Sequence, residues 1–154
     1  MDDITIRIMQ LAGSGYCCSQ IIILLALEAQ GEENPVLVRA MSGLCHGMGD
    51  CSGVCGALTG GLAMLGLYVG KGRDDEYPHD RRPLMLAELG EWFREVIGER
   101  FGGVTCSVIL DGMECGKPNP QRCGPTVAET FGRCLEILTE NGIDPSQSPG
   151  QDLA

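Results

Sequence analysis

Aromatic residues are scarce: one Trp, three Tyr and three Phe in 154 residues, against 23 Gly. A chain short of large rings and rich in glycine suggests helices packed closely through small side chains. Basic residues are also few, 11 Lys and Arg against 21 Asp and Glu, which leaves a net charge of −10. A surface of that sign repels a phosphate backbone and an anionic bilayer, so neither nucleic acid nor a membrane is expected as a partner. No apolar run is long enough to span a bilayer. The stretch 21–27 is too short, and 54–69 is broken by glycine and falls below the roughly 20 apolar residues a span needs. The amino terminus, Met-Asp-Asp-Ile-Thr-Ile-Arg, lacks the basic and apolar stretches of an export signal. This leads to the expectation of a cytoplasmic protein whose thiols stay mostly reduced.

Several chemistries are missing as well. Only two histidines occur, His46 and His79, so a cysteine nucleophile has little to activate it. His79 falls in a charged linker and is expected to be exposed. There is no C-x-x-C beside a βαβ pattern, no phosphate-binding G-x-x-x-x-G-K-[ST], no paired C-x2-C zinc ribbon and no ferredoxin spacing. Cys45-His46 matches the end of a c-type haem motif, but Ser42 stands where its first cysteine belongs. Covalent haem is therefore excluded.

What the chain has is cysteine, nine of them. An odd number cannot pair completely within one chain, and in a reducing compartment such a set serves metal or redox chemistry more often than stapling. Any one of Cys45, Cys115 or Cys134 is most simply a small buried hydrophobe. Cys17 and Cys18 are adjacent, and Cys51 and Cys55 form a C-x3-C. A disulfide between those last two would be strained on regular helix, whereas shared ligation of one metal would be easier.

Hydrophobic spacing predicts helices over 4–12, 17–30, 35–46, 54–69, 83–101, 105–110 and 125–140. Asn34-Pro35 is a strong start signal, Ser14 is a candidate cap for the second helix, and Asp50 or Ser52 for the fourth. The third helix is expected to reach His46, and 111–124 is expected to be an irregular loop holding Cys115 and Cys123. The fourth segment is uncharged and glycine-rich, hence central. Cys55 near its first turn would sit where a helix dipole favours a thiolate. No strand pattern and no repeat compete. The reading is an all-α, single-domain bundle of six to seven helices over 1–143, followed by a flexible tail, 144–154.

Cys18-Ser-Gln20, Cys55-Gly-Ala-Leu-Thr-Gly60, Phe101-Gly-Gly-Val-Thr-Cys106 with Leu110-Asp111, and Cys123-Gly-Pro-Thr-Val127 occur in an order that resembles the C-GCAxxG-C-C family of redox-active proteins. The resemblance runs from about Tyr16 to Leu138. This chain reads Val-Cys-Gly-Ala where the motif has Gly-Cys-Ala, and it carries five cysteines beyond the family's four. The resemblance implies a helical domain related to one in the split-Soret cytochromes of sulfate-reducing bacteria, which bind haem and an additional iron centre.

Three functions follow as expectations. The first is an electron-transfer protein of an anaerobe, with Cys18, Cys55, Cys106 and Cys123 converging on an iron–sulfur cluster, since four thiolates are the complement such a cluster takes. Gly56 and Gly60 would let the cofactor or a neighbouring helix approach, and Cys51 is the spare ligand. The second is a metal-free thiol–disulfide oxidoreductase or redox sensor, with Cys55 as nucleophile and Cys51 or Cys18 as its resolving partner. The third is a structural zinc-binding adaptor that meets a basic partner. The redox partner is not specified by the sequence, and a glycine-lined face leaves a homodimer open.

Overall fold

Side chains of the expected kinds begin the first helices. The Thr5 N–H donates to Asp2 at 2.7 Å and starts α1 (Asp3–Gly13). Cys17 rather than Ser14 caps α2 (Cys18–Gln30), and its N–H donates to Gln20 Oε1 at 3.2 Å. Gly31 ends α2 in the left-handed conformation, with φ of 68°. Asn34 accepts the Leu37 N–H at 3.0 Å, and Pro35 occupies the first position of α3 (Pro35–Met41). This computed structural model describes residues 1–149.

The remaining helices are α4 (Gly56–Val69), α5, α6 (Cys106–Leu110) and α7 (Cys123–Glu140). α5 starts as Arg82–Trp92, widens into π-helical turns over Phe93–Gly98 and closes with Glu99–Phe101. Seven helices and no strand among the described residues make the chain all-α. None of these helices is long and apolar enough to cross a membrane.

α2 and α4 pack along each other at the centre, with α5 and α7 against α4 and with α1 and α3 outside. The composition of α4 explains its place. It is apolar all round, so it has no face to give to water, and Ala57, Leu58, Met64, Leu65 and Val69 are all buried. Glycine brings the backbones together. A Cβ at Gly60 would lie 2.8 Å from Ser19 Cα, and one at Gly61 would meet Leu89, Thr130 and Cys134. Phe93, Leu89 and Ile97 bring the buried face of α5 to this core, while Leu84 stays exposed.

Three boundaries differ from the sequence reading. The third helix stops at Met41, passes through a 3-10 turn (Ser42–Leu44) and enters a turn in which His46 (φ 53°) and Gly47 (φ 57°) are left-handed. Asp50 and Ser52 do not cap α4. The Asp50 carboxylate accepts the Ser52 N–H at 3.0 Å and its hydroxyl at 2.6 Å, and Cys55 takes the cap position. α7 starts at Cys123, earlier than Pro125, because proline is well tolerated in the first turn.

His79 is half-buried rather than exposed. Its N–H donates to Val69 O at 2.9 Å and its ring accepts the Arg81 N–H at 3.1 Å, which closes the linker before α5. In the tail, the Tyr68 hydroxyl donates to Pro145 O at 2.8 Å and the Ser148 hydroxyl to Glu32 at 3.0 Å. The rest of the expected tail, 150–154, lies outside the described residues.

Candidate functional site

Nine cysteines separate into three groups. Cys17–Cys45 and Cys51–Cys115 are disulfides, each with its Cα atoms 6.0 Å apart, an ordinary span for such a bond. Cys134 is a buried free thiol on α7, and its Sγ donates to Gly61 O at 3.5 Å. Cys18, Cys55, Cys106 and Cys123 are the other free thiols. Stapling thus takes four cysteines, more than the compartment argument anticipates. Cys51 is bonded to a loop 64 residues on, not to Cys55.

The four remaining thiols occupy equivalent places in four different helices. Cys18, Cys106 and Cys123 are the first residues of α2, α6 and α7, and Cys55 is the N-cap of α4. The chain draws these helix starts together with backbone bonds. An isolated antiparallel bridge pairs Val54 with Thr105, the residues preceding Cys55 and Cys106. Around it the Cys55 N–H donates to Val104 O at 2.8 Å and the Cys106 N–H to Gly53 O at 3.0 Å. A Cβ at Gly56 would overlap Cys18 Sγ, so the absence of a side chain there is what lets α2 deliver its first thiol to the start of α4. Gly47 packs in the same way against Cys106 Cβ.

The four thiols lie within electrostatic reach of one another. A charge on Cys18 raises the pKa of Cys55 and Cys106, a charge on Cys123 raises those of Cys18, Cys55 and Cys106, and Cys106 acts on Cys55. Burial is the leading cause of each shift. It pushes Cys55 up to about 12 and Cys106 up to about 11, and it raises Cys18 and Cys123. The expectation of an easily ionised Cys55 is therefore corrected. Desolvation outweighs the helix start and the Ala57 N–H that favours the thiolate.

Backbone donors nevertheless point at the sulfurs. The N–H groups of His46 and Ser19 stabilise a charge on Cys18, that of Ala57 a charge on Cys55, and the Asn119 N–H donates to Cys123 Sγ at 3.3 Å. In the left-handed turn the His46 main-chain N–H faces Cys18. Only the imidazole of His46 was weighed in the sequence, and no sequence signal marks the N–H. Asn119 is likewise invisible to sequence reasoning, since any residue supplies an N–H at the right place in a loop.

The other predicted residues are placed as follows. Gly56 adjoins Cys18 and belongs to the group, whereas Gly60 meets Ser19 and Ile22 and serves the crossing of α4 with α2. Cys51 is buried beside the group but occupied by Cys115. His79 is tied to the linker before α5 and does not join the thiols. Among the described residues no three His, Cys, Asp or Glu side chains stand together as a ready-made site for a metal ion.

No curated protein and no solved structure matches the chain. A protein-family model does, over residues 16–137, a span that contains all four thiols and their backbone donors. The chain belongs to the family described as "Putative redox-active protein (C_GCAxxG_C_C)".

Proposed function

We propose that Cys18, Cys55, Cys106 and Cys123 bind an iron–sulfur cluster and that the protein is an electron carrier. One observation carries the reading: four free thiols stand at the starts of four helices and within one another's electrostatic reach. An all-sulfur set of four is the donor complement of such a cluster, and helix starts with N–H···S bonds suit anionic ligands. A cluster is also wider than an ion, so its four sulfurs need not meet at a point. A structural zinc site needs them closer, each about 2.3 Å from one centre. When bound, the cluster supplies one-electron chemistry. The chain's own part is to exclude water with Leu44, Val54 and Val104, which pack against the core that includes Cys55, and to set the potential through burial and the His46, Ala57 and Asn119 N–H groups.

The thiol–disulfide alternative has less behind it for these residues. Cys55 resists ionisation and Cys51 is already paired.

Cys106 is the least buried of the four, which makes it the reporter for a test. In metal-free protein it should react with iodoacetamide. After ferrous iron and sulfide are added, it should be protected, because a thiol held as a ligand is not free to be alkylated. Alkylation of Cys106 at an unchanged rate after loading would remove it from the site.

A further inference from the structure

The two disulfides are built differently. Cys17–Cys45 lies within the packed structure: Cys45 is 2% exposed, Cys17 caps α2, and the Ser19 hydroxyl sits 3.0 Å from Cys45 Sγ. Cys51–Cys115 joins an inside to an outside. Cys51 is 5% exposed, while Cys115 is exposed in the middle of a loop in which every residue from 111 to 118 is exposed.

Little else holds the tip of that loop. Among the described residues the bonds of the tip, 112–118, are local: the Met113 N–H to Leu110 O, the Lys117 N–H to Glu114 O, and the Lys117–Glu114 ion pair, while at the base Asp111 pairs with Arg122 at 2.8 Å. The same loop ends at Asn119, which donates to Cys123 Sγ. On the inner side Cys51 is fixed in the left-handed conformation, φ 65°, by two backbone bonds. Its N–H donates to His46 O at 2.7 Å, and its carbonyl accepts the Ser107 N–H at 2.9 Å. His46 also turns its N–H toward Cys18, and Ser107 follows Cys106, so Cys51 is held between segments that meet two of the four free thiols.

We propose that Cys51–Cys115 is a redox-active disulfide, opened from its exposed Cys115 end by a dithiol of the thiol–disulfide exchange class, and that opening frees the loop tip and leaves Cys51 as a fifth thiol beside the site. A thiolate of the dithiol attacks Cys115 Sγ, forms a mixed disulfide and expels Cys51 as a thiolate, which takes up a proton. The second thiol of the dithiol then attacks its own partner's sulfur and expels Cys115. The dithiol is oxidised to a disulfide, and Cys51 and Cys115 together gain two electrons and two protons. Access decides which disulfide reacts. Cys17–Cys45 presents no comparably exposed sulfur and serves as the internal standard. Opening also removes the one covalent anchor of the loop, which couples the redox state of this pair to the Asn119 contact on Cys123.

The test is graded dithiothreitol on the full-length chain, with differential alkylation and peptide mass mapping. Cys51–Cys115 should open at a dithiothreitol concentration about tenfold or more below that for Cys17–Cys45. Opening of both together, of Cys17–Cys45 first, or no Cys51–Cys115 linked peptide in the oxidised protein would each overturn the proposal. A second readout follows the loop itself. Cleavage after Glu114 by a glutamate-specific protease should accelerate about tenfold over the same dithiothreitol range and already be fast in C115S, because an unanchored tip opens more often. Cleavage indifferent to reduction and to C115S would overturn the release of the loop. Neither readout depends on iron, so failure here leaves the four-thiol reading where it stands, and the converse holds.

Discussion

Alanine at Gly60 lowers the stability of the protein, and alanine at Gly66, in the same helix, raises it. Both changes bring the same intrinsic benefit, since alanine is better than glycine inside a helix by about 1 kcal/mol. What differs is the space a methyl group meets. At Gly60 the new Cβ falls 2.8 Å from Ser19 Cα and 3.2 Å from Ser19 O, both backbone atoms of α2 that move only if the helix moves. Overpacking of that kind costs about 1–3 kcal/mol, which matches or exceeds the propensity gain. At Gly66 nothing lies within 4 Å, so the gain stands alone. Urea denaturation should show the midpoint falling for Gly60→Ala and rising for Gly66→Ala with unchanged slope. Two shifts of the same sign would mean that α2 and α4 do not cross as closely as described.

Serine at Cys55 should abolish iron binding while leaving the fold intact. Serine is nearly the shape of cysteine, and Cys55 is an N-cap position with no side-chain cap bond of its own. A hydroxyl there is among the best caps, worth about 1 kcal/mol against a non-capping residue, so helix α4 should be at least as stable as before. The site fares otherwise, because a hydroxyl is not the soft anionic ligand that iron–sulfur chemistry takes. Iron and visible absorption should fall from their full values to background, with an unchanged far-ultraviolet circular dichroism spectrum. Cys134→Ser is the matched control. Cys134 is as buried and as resistant to ionisation, raised to about 12, but no free thiol of the group acts on it, and its variant should keep its colour. Iron retained in Cys55→Ser would take Cys55 out of the site.

Much of this was legible in the sequence, for identifiable reasons. The helices follow from a hydrophobic spacing that burial alone enforces, and the uncharged 56–69 segment has no polar face and therefore lies at the centre. Asn34-Pro35 is a local signal with a local consequence. The four thiols were named from the resemblance to the family's motif, yet their arrangement at helix starts was visible for only two of them. Cys123 reads as a loop residue because Pro118 and Pro120 precede it, and the helix begins only where the Asn119 carbonyl takes its N–H at 2.7 Å.

The disulfides were not legible. Cys17–Cys45 and Cys51–Cys115 are contacts between segments 28 and 64 residues apart, which no spacing rule reaches. The ionisation of Cys55 was misjudged because the helix start is readable locally, whereas the desolvation that outweighs it comes from the whole fold.

The account stands on the claim that Cys18, Cys55, Cys106 and Cys123 act together on one cofactor. The visible spectrum of protein purified without oxygen, read with iron and acid-labile sulfide analysis on the same sample, tests it most directly. The account predicts a brown protein with iron and sulfide in stoichiometric amounts, bleached by dithionite. A colourless protein with zinc bound, or with no metal and all four thiols free to react, would contradict it.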